Sequence, residues 1–163
     1  MRSGPFISAV ICLGISLALC SCSHSSTTPC DIDEQFTSQV TITQDGKEFS
    51  AELTRADADI WEMSFSKPDT VAGMKIGLTG GSCTLRFQGL SYQLDRNDLS
   101  PYSMVSIGCE AMEKLISKDD ITCTADGGKL TEKGTVSGME FTAVFEDDKI
   151  KELTVSDQLR FEF

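Results

Sequence analysis

The sequence predicts a domain of the α+β class that is mostly β. We expect one strongly curved antiparallel sheet, a half-barrel of about 9–11 strands, with one main helix in its concavity. Three observations predict this fold. From Phe36 onward apolar and polar residues alternate, turn dipeptides separate the alternating runs, and one stretch has the three-and-four spacing of a helix. A sheet with one apolar face must close on itself or be covered, and a single helix covers most when the sheet bends around it.

Six strands are predicted in the first part of the chain, joined mainly by short turns. Phe36, Val40 and Ile42 share one face of the first strand, and Asp45-Gly46 is a strong hairpin signal. The next five strands have their apolar positions at Phe49, Ala51 and Leu53; Trp61, Met63 and Phe65; Met74, Ile76 and Leu78; Cys83, Leu85 and Phe87; and Leu90, Tyr92 and Leu94. Strands that follow one another through short turns predict an antiparallel meander.

The spacing of apolar residues changes after Ser103. The apolar spacing predicts an amphipathic helix, with Lys114 and Lys118 near its C-terminal end, and its apolar stripe comprises Val105, Gly108, Cys109, Met112, Leu115 and Ile116. We expect the sheet to resume at 121–124. Three further alternating runs carry Met139, Phe141, Ala143 and Phe145; Ile150, Leu153 and Val155; and Leu159, Phe161 and Phe163.

The first residues have the pattern of an export signal. Arg2 precedes an uncharged apolar run that ends at Leu19, which is too short to span a bilayer and has the length of a signal-peptide core. The following residues resemble a bacterial lipobox with Cys22 as the acylated residue, because Leu19 stands three residues before it and small Ser21 directly before it. Cys20 is the alternative lipidation site. An uncleaved anchor and a plain secretory signal are the other interpretations.

This pattern divides the chain into a lipoprotein signal peptide (1–21), a lipidated N-terminus with a polar spacer (22–35), and one domain (36–163). Two or three acyl chains of the palmitate type hold a protein stably on a bilayer. We therefore expect an exported lipoprotein that is tethered to the outer face of the bacterial cytoplasmic membrane, as in Gram-positive bacteria.

Composition argues against several classes of function. The formal net charge of −11 argues against a nucleic-acid partner, since nucleic-acid binding needs clustered Lys and Arg. The single histidine, His24, lies in the spacer, where it cannot serve a Ser-His-Asp or Cys-His catalytic site or a histidine-rich zinc site. The acidic clusters 57–59 and 146–148 lack the ligand pattern of a calcium loop. We expect neither an enzyme nor a site for a metal or a cofactor.

Four cysteines belong to the expected mature domain: Cys30, Cys83, Cys109 and Cys123. Four cysteines allow three pairings, between which the sequence cannot choose. A bridge between Cys109 and Cys123 would attach the helix to the sheet and contribute about 3 kcal/mol for a loop of that length. Buried free thiols are the alternative.

An aromatic and thioether-rich set of side chains is the candidate for a hydrophobic groove between sheet and helix. Methionine adapts its shape, which suits an acyl chain or the apolar side chain of a partner. The same residues could equally form the core. The set comprises Trp61, Met63, Phe65, Met74, Phe87, Tyr92 and Met112.

Two passages carry a resemblance to a known superfamily. The run from Trp61 to Pro68, followed by 71–74, is similar to its passage of Trp, aliphatic, Phe and Pro residues before a tight turn, and 141–153 matches near the carboxyl end. With the lipobox and the single helix, the chain resembles the LolA/LppX-like half-barrel superfamily of exported, lipid-associated proteins, including clostridial lipoproteins of the GerS kind. The resemblance covers about 36–163. It departs in being shorter and in having no evident counterpart of the arginine that closes the helix lid in Gram-negative chaperones of this kind.

The resemblance implies two uses for the concave face. The first is a non-catalytic binding module, anchored in the membrane, for a lipid or another hydrophobic ligand. The alternative is a lipoprotein that docks an envelope enzyme or another cell-surface protein, as the germination-type relatives do. A continuous apolar cavity of about 300 Å³ or more favours the first, whereas a filled core with an exposed apolar patch or edge strand favours the second.

Overall fold

The computed structural model describes residues 27–100 and 103–163, which form eleven strands and one α-helix. The expected signal peptide and both candidate lipidation sites, Cys22 and Cys20, lie outside the described residues. The helix is α1 (Met104–Ser117). The strands are β1 (Phe36–Gln44), β2 (Lys47–Asp57), β3 (Ile60–Lys67), β4 (Lys75–Thr79), β5 (Ser82–Phe87), β6 (Leu90–Asp95), β7 (Thr122–Asp126), β8 (Lys129–Val136), β9 (Met139–Glu146), β10 (Lys149–Val155) and β11 (Leu159–Glu162).

All eleven strands belong to one antiparallel sheet in the order β6-β5-β4-β3-β2-β1-β11-β10-β9-β8-β7. Two meanders, β1–β6 and β7–β11, are therefore joined where the first strand pairs with the last. Ile42 of β1 is opposite Phe49 of β2 on one side and Phe161 of β11 on the other. The outermost strands, β6 and β7, are those that precede and follow α1 in the chain. The expectation of a mostly β, antiparallel fold with one helix is confirmed.

The alternation of the sequence becomes one buried face of the sheet, which we call the inner face. Residues directly opposite one another on paired strands share a face, so Ile42 and Phe161 place the buried residues of the other strands on this same side. The buried inner-face side chains are Val40, Ile42, Ala51, Leu53, Trp61, Met63, Phe65, Leu78, Cys83, Phe141, Ala143, Phe145, Leu153, Val155, Leu159 and Phe161.

Helix α1 packs on the inner face through its apolar stripe. Ser103 caps the first turn, its Oγ accepting a hydrogen bond from the Ser106 N–H at 3.2 Å, and Lys118 ends the helix in the left-handed conformation. Gly108 lets the helix approach β11 closely, because a Cβ at this position would lie 2.4 Å from Cζ of Phe161. No helix in the described residues is long and apolar enough to cross a membrane.

One strand was not predicted from the sequence. On the inner face of β8, Glu132 and Gly134 stand between Leu130 and Val136 and so interrupt the apolar alternation. Gly134 is needed because a Cβ there would lie 2.7 Å from Cζ of Phe141 on β9. The packing of a neighbouring ring, which the local pattern does not reveal, selects the residue at this position.

Candidate functional site

The inner face of the sheet is not covered uniformly. On β3 the side chains of Trp61 and Phe65 are buried, whereas on the edge strand β6 Leu90 is 77% exposed and Tyr92 is 67% exposed. Both face the same side as the buried core, because Leu94 of β6 is opposite buried Cys83. The exposed and half-buried apolar side chains on the inner face of β4–β6 form what we call the edge patch: Ile76, Leu85, Phe87, Leu90, Tyr92 and Leu94.

Backbone groups of β6 complete this surface. Gln88 and Gly89, at φ of 50° and 82°, make a two-residue turn from β5 to β6. In such a hairpin the pairs closest to the turn exchange hydrogen bonds and alternate pairs do not. The Arg96 N–H donates to the Gly81 carbonyl at 2.8 Å, which extends this alternation from the pair Phe87 and Leu90 along the two strands. The N–H and C=O groups of Ser91 and Gln93 therefore point away from β5, along the open edge.

The opposite edge of the sheet lacks this combination. Strand β7 has exposed Thr122, Thr124, Ala125 and Asp126 and half-buried Cys123, with no large apolar side chain. The large hydrophobic residues exposed in the described parts of the chain are Ile60, Leu90 and Tyr92. Two of these three lie on β6, so the apolar exposure is concentrated at one edge. An exposed edge strand with apolar side chains is a typical place for another chain to bind.

The predicted groove residues do not form one groove. Four of them, Trp61, Met63, Phe65 and Met112, are buried in the core between sheet and helix. Met74 and Phe87 are half-buried and pack against that core or beside it, whereas Tyr92 is exposed. The structure thus assigns the first four to packing and leaves Phe87 and Tyr92 in the edge patch.

The sequence matches no protein-family model and no curated protein.

The sequence does not indicate the ion pair between helix and sheet that we call the latch. No arginine was expected to hold the helix, but Arg55 of β2 is buried on the inner face and contacts Glu113 of α1. Its Nε donates to Oε1 at 3.0 Å and its Nη2 donates to Oε2 at 2.8 Å, and Nη1 donates to the carbonyl of Glu34. Oε1 also accepts from the indole N–H of Trp61 at 2.7 Å and from the backbone N–H of Asp59 at 3.0 Å. The alternation in the sequence does not indicate this pair, because Arg55 lies on the inner face of β2, where the preceding inner residues Ala51 and Leu53 are apolar.

The latch fixes the ionised state of Glu113. Burial alone would raise the pKa of this carboxyl, but hydrogen bonds from Arg55, the Asp59 N–H and Trp61 outweigh burial and lower its pKa below the usual value. Arg55 also lies 5.8 Å from the centre of the Trp61 ring, and Phe36 meets that ring edge-on at 5.6 Å. Four donors on β2, β3 and the turn between them therefore hold Glu113, and with it the helix, against these strands.

A second buried acid lies at the C-terminal end of the helix. Glu132 of β8 is fully buried, and its Oε1 accepts a hydrogen bond from the Cys30 N–H at 2.5 Å. Its Oε2 has no hydrogen-bond partner among the residues that the structure describes. Burial raises the pKa of Glu132, and the Cys30 N–H and nearby Lys118 offset this only in part. The hydrogen bond of Glu132 therefore joins the segment before β1 to strand β8.

The four described cysteines are free thiols in the structure. The charged groups near Cys109 are Arg96, Glu113 and Glu110, whereas those near Cys123 are Glu132 and Lys118. The two thiols thus have different surroundings, and the structure contains free thiols rather than the bridge between them that the sequence left open as one possibility. Burial raises the pKa of all four thiols, including Cys30 and Cys83.

A cavity of about 340 Å³ lies between the segment before β1, strand β10 and the helix. Ile32, Phe36, Met112, Ile150 and Phe163 form its apolar part. Its other lining residues are polar or charged: Asp31, Asp33, Thr37, Ser38, Asp148, Lys149 and Lys151. The cavity is large enough for a small ligand, but its lining is not continuously apolar. In residues 27–100 and 103–163, no three His, Cys, Asp or Glu side chains are grouped so that they could hold a metal ion.

Proposed function

We propose that this chain is a non-catalytic binding module that docks a protein partner through the edge patch. The observation that carries the proposal is the exposure of Leu90 and Tyr92 on an open edge strand, on the same face as the core. An apolar surface of this kind gains free energy when a partner covers it. The burial of Met63 and Met112 in the core between sheet and helix favours docking over carriage of a lipid within the fold.

We also propose that the sheet curls around α1 as a half-barrel. Glu113 hydrogen-bonds Trp61 of β3, whereas Glu110, three residues earlier on the helix, accepts from Ser137 Oγ in the β8–β9 turn at 3.0 Å. In a flat sheet, strands β3 and β8 would be about 29 Å apart, at about 4.8 Å for each of six steps. Residues three apart on a helix are only about 5–6 Å apart. Strong curvature would bring both strands within reach of one helix.

The absence of enzymatic activity is part of the proposal. The single histidine belongs to the N-terminal spacer, and the thiols of the described cysteines have raised pKa values, which disfavour a nucleophilic thiolate. The expected lipid anchor at Cys22 would hold the domain on the outer face of the membrane, with 22–35 as the spacer. Cys22→Ser is expected to leave the precursor unprocessed or to release the protein into the medium. Unchanged membrane fractionation and unchanged processing would show that Cys22 is not the anchor.

A second candidate function is supported by the cavity beside Met112. Its volume of about 340 Å³ would accept part of an acyl chain against Ile32 and Ile150, with Lys149 or Lys151 near a carboxylate or phosphate. Native mass spectrometry of the full-length protein released from detergent separates the two candidates. A noncovalently bound lipid that is lost in Met112→Lys supports this candidate, whereas a mass with no lipid beyond the covalent anchor supports docking.

Cross-linking in the producing cells tests docking directly. A photoreactive phenylalanine analogue replaces Tyr92 in the full-length chain, and a matched chain carries it at Ala125 on the opposite edge strand. We expect position 92 to yield an adduct with one protein species, and Leu90→Lys to abolish that adduct because a charge would be buried beneath the partner. Equal adducts from positions 92 and 125, or an adduct unaffected by Leu90→Lys, would refute docking at the edge patch.

A further inference from the structure

The open side of β6 specifies how a partner would bind. We propose that the partner adds an extended strand to β6, with alternate apolar side chains on the edge patch and a basic residue near Asp95. This inference rests on the proposed docking function and adds its geometry and the chemistry of the partner segment. Strand addition uses main-chain hydrogen bonds for affinity and alternate side-chain contacts for specificity.

The backbone of β6 supplies the first requirement. Because Leu90, Tyr92 and Leu94 direct their N–H and C=O groups to β5, the groups of Ser91, Gln93 and Asp95 are directed to the open edge. An incoming strand would satisfy these groups in the register that puts its apolar residues beside the edge patch. A docked helix or a lipid would cover Leu90 and Tyr92 but would leave this row of backbone groups unpaired.

The charges around β6 indicate the chemistry of the partner. The two arginines nearest the strand are already paired, since Arg86 lies 3.8 Å from Glu62 and Arg96 lies 3.6 Å from Asp59. Asp95 ends the strand, and it is the one charged residue within Leu90–Asp95. The chain as a whole has a formal net charge of −11, which repels a second copy and attracts a cationic segment. The occupant that fits is a different protein with a basic, alternately apolar segment.

The opposite edge provides a matched control. In β7 the two-residue turn at Gly127 and Gly128 makes Cys123 and Ala125 the residues whose backbone groups face outward. A proline at an outward N–H leaves the pairing with the neighbouring strand intact but cannot donate to an added strand. Gln93→Pro therefore blocks the addition of a strand to β6. Ala125→Pro makes the same change on the opposite edge strand, β7, which has no apolar patch.

The probe is a synthetic peptide in which valine and threonine alternate between terminal lysines, titrated against the full-length protein in detergent. We expect it to slow hydrogen exchange at the amides of Ser91 and Gln93 but not at Ala125. Gln93→Pro is expected to weaken binding about tenfold or more, the effect of losing a main-chain hydrogen bond and its alignment, and Ala125→Pro to leave binding unchanged. A peptide with prolines in place of its threonines is expected not to bind.

Several outcomes would overturn strand addition. One is a peptide that binds Gln93→Pro as tightly as the unchanged protein, and another is no slowing of exchange at Ser91 and Gln93. If Leu90→Lys abolishes cross-linking at position 92 while Gln93→Pro does not, strand addition is wrong and apolar docking stands. A dimer in sedimentation that Gln93→Pro dissociates would identify a second copy as the occupant and overturn the assignment to a basic partner.

Discussion

Arg55 on β2 and Glu113 on α1 form a two-pronged ion pair at 2.8 and 3.0 Å, and it joins the single helix to the first meander of the sheet. The same carboxylate receives the indole N–H of Trp61 and the backbone N–H of Asp59. The contact holds the helix against β2 and β3, and β3 lies three strands from the edge strand β6, where Leu90 and Tyr92 are exposed. The open edge patch on β6 lies beyond it.

Loss of the charge on Glu113 is expected to destabilise the protein. Glu113→Gln leaves the guanidinium of Arg55, which is only 5% exposed, without a counter-charge and should lower the free energy of unfolding by about 2–3 kcal/mol. Urea unfolding monitored by Trp61 fluorescence measures the change. The control is Glu146→Gln, which breaks an exposed pair with Lys129 and should leave stability nearly unchanged. Equal effects of the two substitutions would show that the latch does not stabilise the fold.

Half-buried Glu113 and buried Glu132 should respond to pH in opposite directions. The pKa of Glu113 is lowered in the folded state, so its contribution to stability is present above the usual value of 4.5 and is lost as pH falls below it. The pKa of Glu132 is raised, so its contribution is fully present below 4.5 and is lost as pH rises through the raised folded value.

The variant Glu132→Gln tests this sign. Glutamine does not titrate, so the free energy of unfolding of the unchanged protein minus that of Glu132→Gln should fall from about pH 4 to about pH 8. Urea unfolding at these two pH values measures the difference. For Glu113→Gln the difference should instead shrink on going from pH 5 to about pH 3. A constant difference for Glu132→Gln across the range would contradict the raised pKa of that carboxyl.

Close packing of helix and sheet predicts that Gly108→Ala is destabilising. Alanine normally favours a helix over glycine by about 1 kcal/mol, but here its Cβ would meet the Phe161 ring at 2.4 Å. We expect a net loss of about 1–3 kcal/mol in thermal or urea unfolding. Adding Phe161→Leu should recover part of the loss, because the shorter side chain makes room. Gly81→Ala, at a site with no atom within 4 Å of the new Cβ, is the control. A more stable Gly108→Ala protein would refute the close approach.

The cysteines give a prediction about reactivity and about the remaining disulfide hypothesis. Cys109 is buried and half-buried Cys123 is more accessible, so an alkylating reagent should modify Cys123 first and Cys109 only on unfolding. Peptide mapping by mass spectrometry without reductant measures both. If the bridge predicted from the sequence forms in the exported protein, neither thiol is alkylated before reduction, and a cross-linked peptide containing both is recovered.

Local patterning by itself determined the elements of this protein. The period-two runs, the turn at Asp45-Gly46 and the three-and-four spacing after Ser103 predict strands, a turn and a helix that the structure contains. These signals are local, since side-chain spacing and turn chemistry depend on neighbours in the chain. The strand β8 was missed because Glu132 and Gly134 interrupt the apolar residues at its inner positions. Glu132 accepts a hydrogen bond from the distant Cys30 N–H, and Gly134 makes room for Phe141 on the neighbouring strand β9.

Only the tertiary structure decided which apolar residues form the core and which form a surface. Trp61, Met63 and Phe65 of β3 and Leu90, Tyr92 and Leu94 of β6 have the same alternation, yet the first set is buried and Leu90 and Tyr92 are exposed. Alternation predicts which face of a strand is apolar. Whether that face is buried depends on the place of the strand in the sheet and on what covers it. That order includes the long-range pairing of β1 with β11, and the helix that covers the inner face is held to β2 by an ion pair between residues far apart in the chain.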